Sequence, residues 1–217
     1  MIIAVDGPAG SGKSTISKRL AEKLGFKYVD TGAIYRAITL KVIQHSVDFS
    51  NEKEICRLVE STKIELKEIN GNLMVLLDGT DVTKEIRNNT VTNNIHFISD
   101  KASVRERLIK LQRDCAGGVD AVVEGRDIGT VIFPDAGKKL FLNADIEERA
   151  KRRYKEIIKQ ESSMELSKVI DDIKQRDHKD ISRGTAPLKQ AEDAILVDTT
   201  NMSIEDVLDY ILKILDR

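Results

Sequence analysis

Only two of the 217 residues are cysteine, Cys56 and Cys115, and neither sits in a CxxC or Cys/His spacing. A zinc site and a disulfide framework are therefore not expected, which leaves buried, reduced thiols. An excess of one charge is also lacking: 35 Lys and Arg stand against 36 Asp and Glu, a formal net charge of −1. No global positive field draws such a chain to nucleic acid or to anionic lipid, so neither partner is expected. No apolar run approaches the roughly 20 residues needed to span a bilayer. The opening Met1-Ile2-Ile3-Ala4-Val5 lacks a basic flank and is too short for the apolar region of a signal peptide. We expect a soluble, cytoplasmic protein. Internal repeats, low-complexity tracts and Pro/Gly-rich linkers are missing as well, which predicts one domain over 1–217 with embellishments.

What is present is a rhythm of short apolar runs followed by longer helical patterns, the signature of an α/β fold with a parallel sheet wrapped by helices. Strands are expected at Ile2–Val5, Lys27–Val29, Ala121–Val123, Lys139–Leu142 and Ile195–Val197. Helices are expected at Lys13–Lys23, Ala33–Ile43, Asp145–Gln160 and Ser203–Leu215, the last with Ser203 as its N-cap. Between Val47 and Asn94 the pattern changes: Ile64–Lys67 and Leu73–Leu77 flank Asn70-Gly71, a hairpin signal, so a small antiparallel insert is predicted. Ligands of open parallel sheets gather at the carboxyl ends of the strands, which directs attention to the loops there.

The first of those loops carries the strongest motif. Gly7-Pro8-Ala9-Gly10-Ser11-Gly12-Lys13-Ser14 fits G-x-x-x-x-G-K-[ST] directly after a strand and at the start of a helix. Glycines let the loop turn its N–H groups around a phosphate, and the helix N-terminus adds partial positive charge. Lys13 adds a full charge, and Ser14 offers a hydroxyl to Mg²⁺. Such a loop binds a nucleoside triphosphate but leaves kinase, GTPase and motor open. No Asn is followed by Lys, so the N-K-x-D guanine-reading motif is absent, and 217 residues leave little length for a motor or transport module. A small-molecule phosphotransferase is the economical expectation.

Arginines recur in or near the expected site loops: Arg36, Arg105, Arg126, Arg149, Arg153, Arg176 and Arg183. Phosphoryl transfer spreads negative charge over equatorial oxygens that guanidinium forks suit. On the helix from Asp145, Glu147–Lys151 and Glu148–Arg152 form i,i+4 pairs, so Lys151 and Arg152 read as a solvated face, and Arg149 and Arg153 as functional. In Glu124-Gly125-Arg126-Asp127, Glu124 suits a carboxylate near the metal, and Asp127 suits hydrogen bonds from an exocyclic amine.

Four segments together resemble the bacterial cytidylate kinase family of P-loop nucleoside monophosphate kinases, in the same order and over almost the whole chain. They are Gly7–Ser14, Asp30–Arg36, Val123–Ala136 and Arg176–Leu188. The insert at 47–94 resembles the acceptor-binding segment of the bacterial long form, and 145–183 corresponds to a helical lid. The resemblance implies transfer of the ATP γ-phosphoryl group to CMP or dCMP. It places ATP on Gly7 to Ser14 and Thr15, and Mg²⁺ on Ser14 with Glu124 behind it. Arg36 and Arg126 would hold the acceptor phosphate beside Thr31, with Tyr35 and Gly125 in the same set. Arg105 and Asp127 would read cytosine, Asp180 and Arg183 the ribose. Lys13, Arg126, Arg149, Arg153 and Arg176 would act on the transferring group. One departure stands out: members commonly carry Ser where this chain has His96, so either His96 replaces it, or the alignment shifts locally and His96 is a surface residue.

The phosphate of the acceptor has a second pKa near 6, so its oxygen is largely anionic at neutral pH and no general base is needed. A monomer is the simplest assembly. Two rivals remain at this stage: another small P-loop kinase acting on UMP, AMP, dTMP or an alcohol, for which Asp30 could serve as base, and a non-catalytic ATP sensor.

Overall fold

A computed structural model of the chain describes residues 1–69, 71–158 and 165–215. In chain order its elements are β1 (Ile2–Asp6), α1 (Lys13–Leu24), β2 (Lys27–Asp30), α2 (Thr31–Gln44), α3 (Glu52–Glu60), β3 (Ile64–Ile69), β4 (Asn72–Leu77) and β5 (Thr80–Asp81). There follow α4 (Asn89–Asn94), α5 (His96–Ser99), α6 (Ala102–Ala116), β6 (Ala121–Glu124), β7 (Lys138–Asn143), α7 (Ile146–Ile157), α8 (Leu166–Ser182), β8 (Ile195–Asp198) and α9 (Ile204–Leu215). The five strands expected from the apolar runs form one sheet in the order β2-β6-β1-β7-β8, and β3-β4-β5 form a second sheet. Among the described residues no helix is long and apolar enough to cross a membrane.

The chain divides into two compact units, 1–26 with 121–217 and 27–120. In the first, β1 pairs in parallel with β6 and β7, and β7 with β8. Ile3, Ala4, Val5, Val122 and Val123 are fully buried, as a strand covered on both faces requires. The register sets Val5 opposite Glu124, Asp6 opposite Phe141 and Asn143 opposite Asp198. The polar residues that end these strands therefore share one edge. Helix α9 begins with the expected cap: Asp206 N–H donates to Ser203 Oγ at 3.2 Å, and Ser203 N–H donates back to Asp206 at 3.1 Å. Helices α7 and α8 pack through Ala150, Val169 and Ile173, flanked by Ile146, Tyr154 and Leu166. Of the helix expected over 145–160, residues 159 and 160 lie outside the described residues.

In the second unit the hairpin is present, with Ile64 opposite Leu77 and Ile69 opposite Asn72. Gly71 takes φ +70°, the left-handed conformation a tight turn needs, while its partner Asn70 lies outside the described residues. The interval 47–94 is not purely antiparallel: it also holds α3 and α4, capped by Asn51 and Asn88. A buried cation ties the hairpin to α2. Lys41 Nζ donates to Thr62 Oγ1 at 2.9 Å and to Asp78 at 2.7 Å, and Asp78 also accepts from Lys63 N–H at 2.9 Å.

Lys41→Met keeps the apolar stem and deletes the charge. Because the Asp78 side chain is 43% exposed, solvent screens the pair. A loss of about 1 kcal/mol is expected, read as a lower urea midpoint at unchanged slope. An unchanged midpoint would show that the tie contributes nothing.

Candidate active site

In the first unit the loop after β1 has the backbone of a phosphate cradle. Gly7, Gly10 and Gly12 take φ of +150°, +75° and +88°. A Cβ on Gly7 would run into the Leu142 carbonyl, and one on Gly10 would lie 2.9 Å from the Arg149 carbonyl, so the loop is pressed against β7 and α7. Lys13 opens α1 and is buried at 6% exposure. Its ammonium donates to Pro8 O at 2.7 Å and to Ser11 Oγ at 3.3 Å. Burial pushes that ammonium well below the usual lysine range; Arg126 and Arg176 push the same way, and Glu124 and Asp6 oppose them. A polyanion on this loop would restore the charge. Ser14 Oγ donates to Glu124 Oε2 at 3.0 Å, which places two hard oxygen ligands side by side at the end of the loop. That donor set fits Mg²⁺, which prefers a few protein oxygens together with water and phosphate. Thr15 is exposed on the first turn of α1.

Two residues brace the loop from behind. Arg149, 7% exposed, donates to Ala144 O and Ala9 O at 2.9 Å each and to Asp177 at 2.5 Å. Asp177 in turn accepts from Ala9 N–H at 3.1 Å. Arg149 thus grips the loop backbone, and Asp177 is a residue that sequence reasoning passed over within the Arg176–Leu188 segment. Arg152 was also misread. Its expected pair with Glu148 forms at 3.4 Å, but its guanidinium reaches further, to Thr199 Oγ1 at 2.9 Å and Thr199 O at 2.6 Å. Thr199 Oγ1 lies 3.4 Å from Ser11 O, so Arg152 supports the loop rather than a solvated face. Lys151 is exposed, as expected, and so are Arg153 and Arg176.

The loop after β6 carries a four-residue ionic chain. Arg126 Nε donates to Asp180 at 2.8 Å, Arg183 lies 3.8 Å from Asp180, and Arg183 lies 3.7 Å from Asp127. Burial alone would push the Asp180 carboxyl up, but Arg126, Arg176 and Arg183 outweigh it and hold the group below the usual carboxylate range. Arg176 is thereby within electrostatic reach of both Asp180 and Lys13. Gly125 N–H donates to Val5 O at 3.0 Å, joining this loop to the end of β1.

In the second unit Asp30 caps α2: its Oδ1 accepts from Ala33 N–H at 3.0 Å and its Oδ2 from Arg36 at 2.8 Å. Thr31, buried, is the first residue of α2. Arg36 Nε is buried and has no hydrogen-bond partner among the described residues. Arg105, 4% exposed on α6, donates to Ser99 O at 3.0 Å and lies over the Tyr35 ring at 5.4 Å from its centroid. His96 opens α5, which packs against α2 and α6. Its ring lies 4.0 Å from that of Phe97, and Phe97 stacks on Phe49 at 5.2 Å.

A sequence model of the family described as cytidylate kinase matches residues 3–217. A cytidylate kinase of Caldicellulosiruptor saccharolyticus is 47% identical over 212 residues, covering 98% of this chain and 94% of that protein. One from Anoxybacillus flavithermus is 46% identical over 215 residues, covering 99% and 96%. Among solved structures, an uncharacterized protein from Eubacterium ventriosum superposes with a TM-score of 0.54 at 14% identity, covering 100% of this chain and 98% of that one, a likeness of fold alone. With the match running from β1 to the end of the chain, the protein belongs to the cytidylate kinase family.

Proposed function

We propose that the chain transfers the γ-phosphoryl group of ATP to CMP or dCMP, releasing ADP and CDP or dCDP. An oxygen of the acceptor phosphate forms the new bond to the γ-phosphorus, and the bond to the β–γ bridging oxygen breaks, leaving with ADP. The attacking oxygen is largely anionic at neutral pH, so no residue has to remove a proton. Catalysis then consists of position and charge. The loop N–H groups and Lys13 bear on the phosphates of ATP, with Arg126, Arg149, Arg153 and Arg176 assigned to the same task. For Arg149 the geometry favours an indirect route, through its grip on Ala9. Ser14, with Glu124 behind it, would hold the Mg²⁺ that accompanies ATP, and that ion would supply charge neutralisation to the phosphate oxygens.

Arg36 carries this reading over an alcohol kinase. An alcohol acceptor would need Asp30 as base, yet both Asp30 oxygens are engaged, one of them by Arg36. The buried Arg36 Nε is a donor in want of an acceptor. Leaving such a group unsatisfied costs about 1–3 kcal/mol, and a phosphate oxygen relieves it. Arg36 and Arg126, with Thr31, are assigned to the acceptor phosphate, and Asp180 and Arg183 to the ribose. Cytosine offers a donor at N4, which suits the carboxylate of Asp127, and acceptors at N3 and O2, which suit Arg105. Uracil presents a carbonyl where N4 would be, and two facing acceptors discriminate strongly. Tyr35, whose ring lies under Arg105, and Gly125 are assigned to the same CMP-binding set, and His96 to the base. Segment 47–94 is read as the acceptor insert and 145–183 as the lid, of which 159–164 lie outside the described residues. One chain supplies every residue named, so a monomer suffices.

Lys13→Ala should abolish turnover while leaving the circular dichroism spectrum intact and the melting temperature no lower, since it deletes a cation that folding buries at a cost. Substantial residual activity would refute its role. In an ADP-release assay with MgATP and CMP, dCMP, UMP, AMP, GMP and dTMP, fast turnover should be confined to the cytidine nucleotides, and Asp127→Ala should collapse that selectivity. Silence toward every nucleotide with ATP still bound would favour the sensor instead. Arg149→Lys, which cannot grip Ala9 and Asp177 together, should weaken ADP binding in calorimetry by about tenfold; undiminished affinity would reduce Arg149 to packing.

A further inference from the structure

Asp6 is a buried carboxylate that the chemistry above does not use. It is the last residue of β1, stands next to Gly7 and is 5% exposed. Its two oxygens are committed to one place: Oδ1 accepts the Ile128 N–H and Oδ2 the Gly129 N–H, each at 2.8 Å. These amides open a tight turn over Ile128–Ile132, closed by Ile132 N–H to Asp127 O at 3.1 Å and Phe133 N–H to Ile128 O at 2.7 Å. The space beside Gly129 is narrow: a Cβ there would lie 3.1 Å from the Lys139 stem and 3.5 Å from Asp6 Oδ2. The residues immediately before the clamped amides are Arg126 and Asp127.

We propose that Asp6 is a positioning residue that ties the nucleotide loop to the acceptor-reading loop, so that one carboxylate fixes where Arg126 and Asp127 stand relative to Gly7–Ser14. The proposal deepens the functional reading and rests on it. In-line transfer needs donor and acceptor held in register, and a misplacement of about 1 Å costs about 100-fold in rate. A rigid link between the two loops answers that need. The choice of a carboxylate is costly for a purely structural clamp. Burial pushes the Asp6 carboxyl up to about 6; the two amides and Lys13 oppose the rise, and Asp127 adds to it. The stem of Lys139 from β7 borders the same glycine, and its ammonium pairs with Asp193 at 2.8 Å. Behind Lys13 stand Glu124, Arg126 and Arg176. Since the folded value lies above the ordinary 3.8, folding disfavours the charged form at neutral pH, and that penalty fades as pH falls from 6 toward 3.8. A carboxylate kept under that penalty does something an uncharged acceptor would not: it accepts from both amides at once.

The test is Asp6→Asn, which leaves one acceptor and turns an NH₂ toward the other amide. We expect kcat/KM for CMP to fall by about 10- to 100-fold, with KM for CMP raised, the preference for CMP over UMP narrowed and KM for ATP little changed. Equal losses toward both substrates, or none, would overturn the proposal. Between pH 5 and 7.5 the titration of the CMP phosphate is common to both proteins, so the ratio of their rates isolates Asp6, and it should fall toward low pH. A constant ratio counts against the link. Should the variant fail to fold, the wild type decides: the amide resonances of Ile128 and Gly129 should shift together with a midpoint near pH 6, and static resonances would sink the proposal. If those amides titrate while the wild type leaves CMP untouched, the functional reading falls and the tie between the loops stands.

Discussion

A site that must hold a polyanion needs positive charge packed more densely than a folded protein tolerates without compensation. The pattern of neighbours around each guanidinium follows from that constraint. Arg149 stands against Asp177, Arg126 against Asp180, Arg183 against Asp127, and Arg36 against Asp30. Lys13 leans instead on carbonyl and hydroxyl oxygens, and burial holds its ammonium well below the usual lysine range. The near-zero net charge of the chain is thus compatible with a strongly cationic function, because four of these arginines are delivered with their own counter-ions.

The second constraint is steric. Backbone amides surround a phosphate only if the loop has little bulk, and the loop here is pinned from outside as well as shaped from within. The Leu142 and Arg149 carbonyls fill the space where side chains of residues 7 and 10 would sit. Arg149, Asp177, Arg152 and Thr199 then hold the outer wall through hydrogen bonds. The nucleotide loop is therefore an arch braced by α7, α8 and the segment after β8, none of which the motif itself contains.

Much of the frame was legible because its signals are local. Buried parallel strands read as β-branched runs, and all five were recovered with their carboxyl ends in the right loops. Helix α3 was missed although its signal was there: Asn51 accepts from Glu54 N–H at 3.3 Å, a cap just ahead of the buried Ile55, Cys56 and Val59. The charged stretch around it and the neighbouring hairpin signal drew the reading toward strands. Arg152 was assigned from its i,i+4 neighbour, a local rule, whereas its decisive partner lies 47 residues away. Asp6 directly follows the first apolar run, and its partners lie 122 and 123 residues downstream. Periodicity and spacing report what a residue does for its own element; braces between elements leave no trace until the chain is folded.

The seam between α7 and α8 has a consequence for cooperativity. Its members Ala150, Val169 and Ile173 are buried largely by each other and by Tyr154, Ile146 and Leu166 from the same two helices. Segments held together by their own apolar contacts tend to open as one cooperative unit. Their attachment to the nucleotide loop is mostly polar, through Arg149 and Asp177, and polar bonds can be traded for water at little net change in free energy. The two helices are thus joined to each other by an apolar seam and to the nucleotide loop by exchangeable polar bonds, so solvent conditions that weaken one kind of contact need not weaken the other.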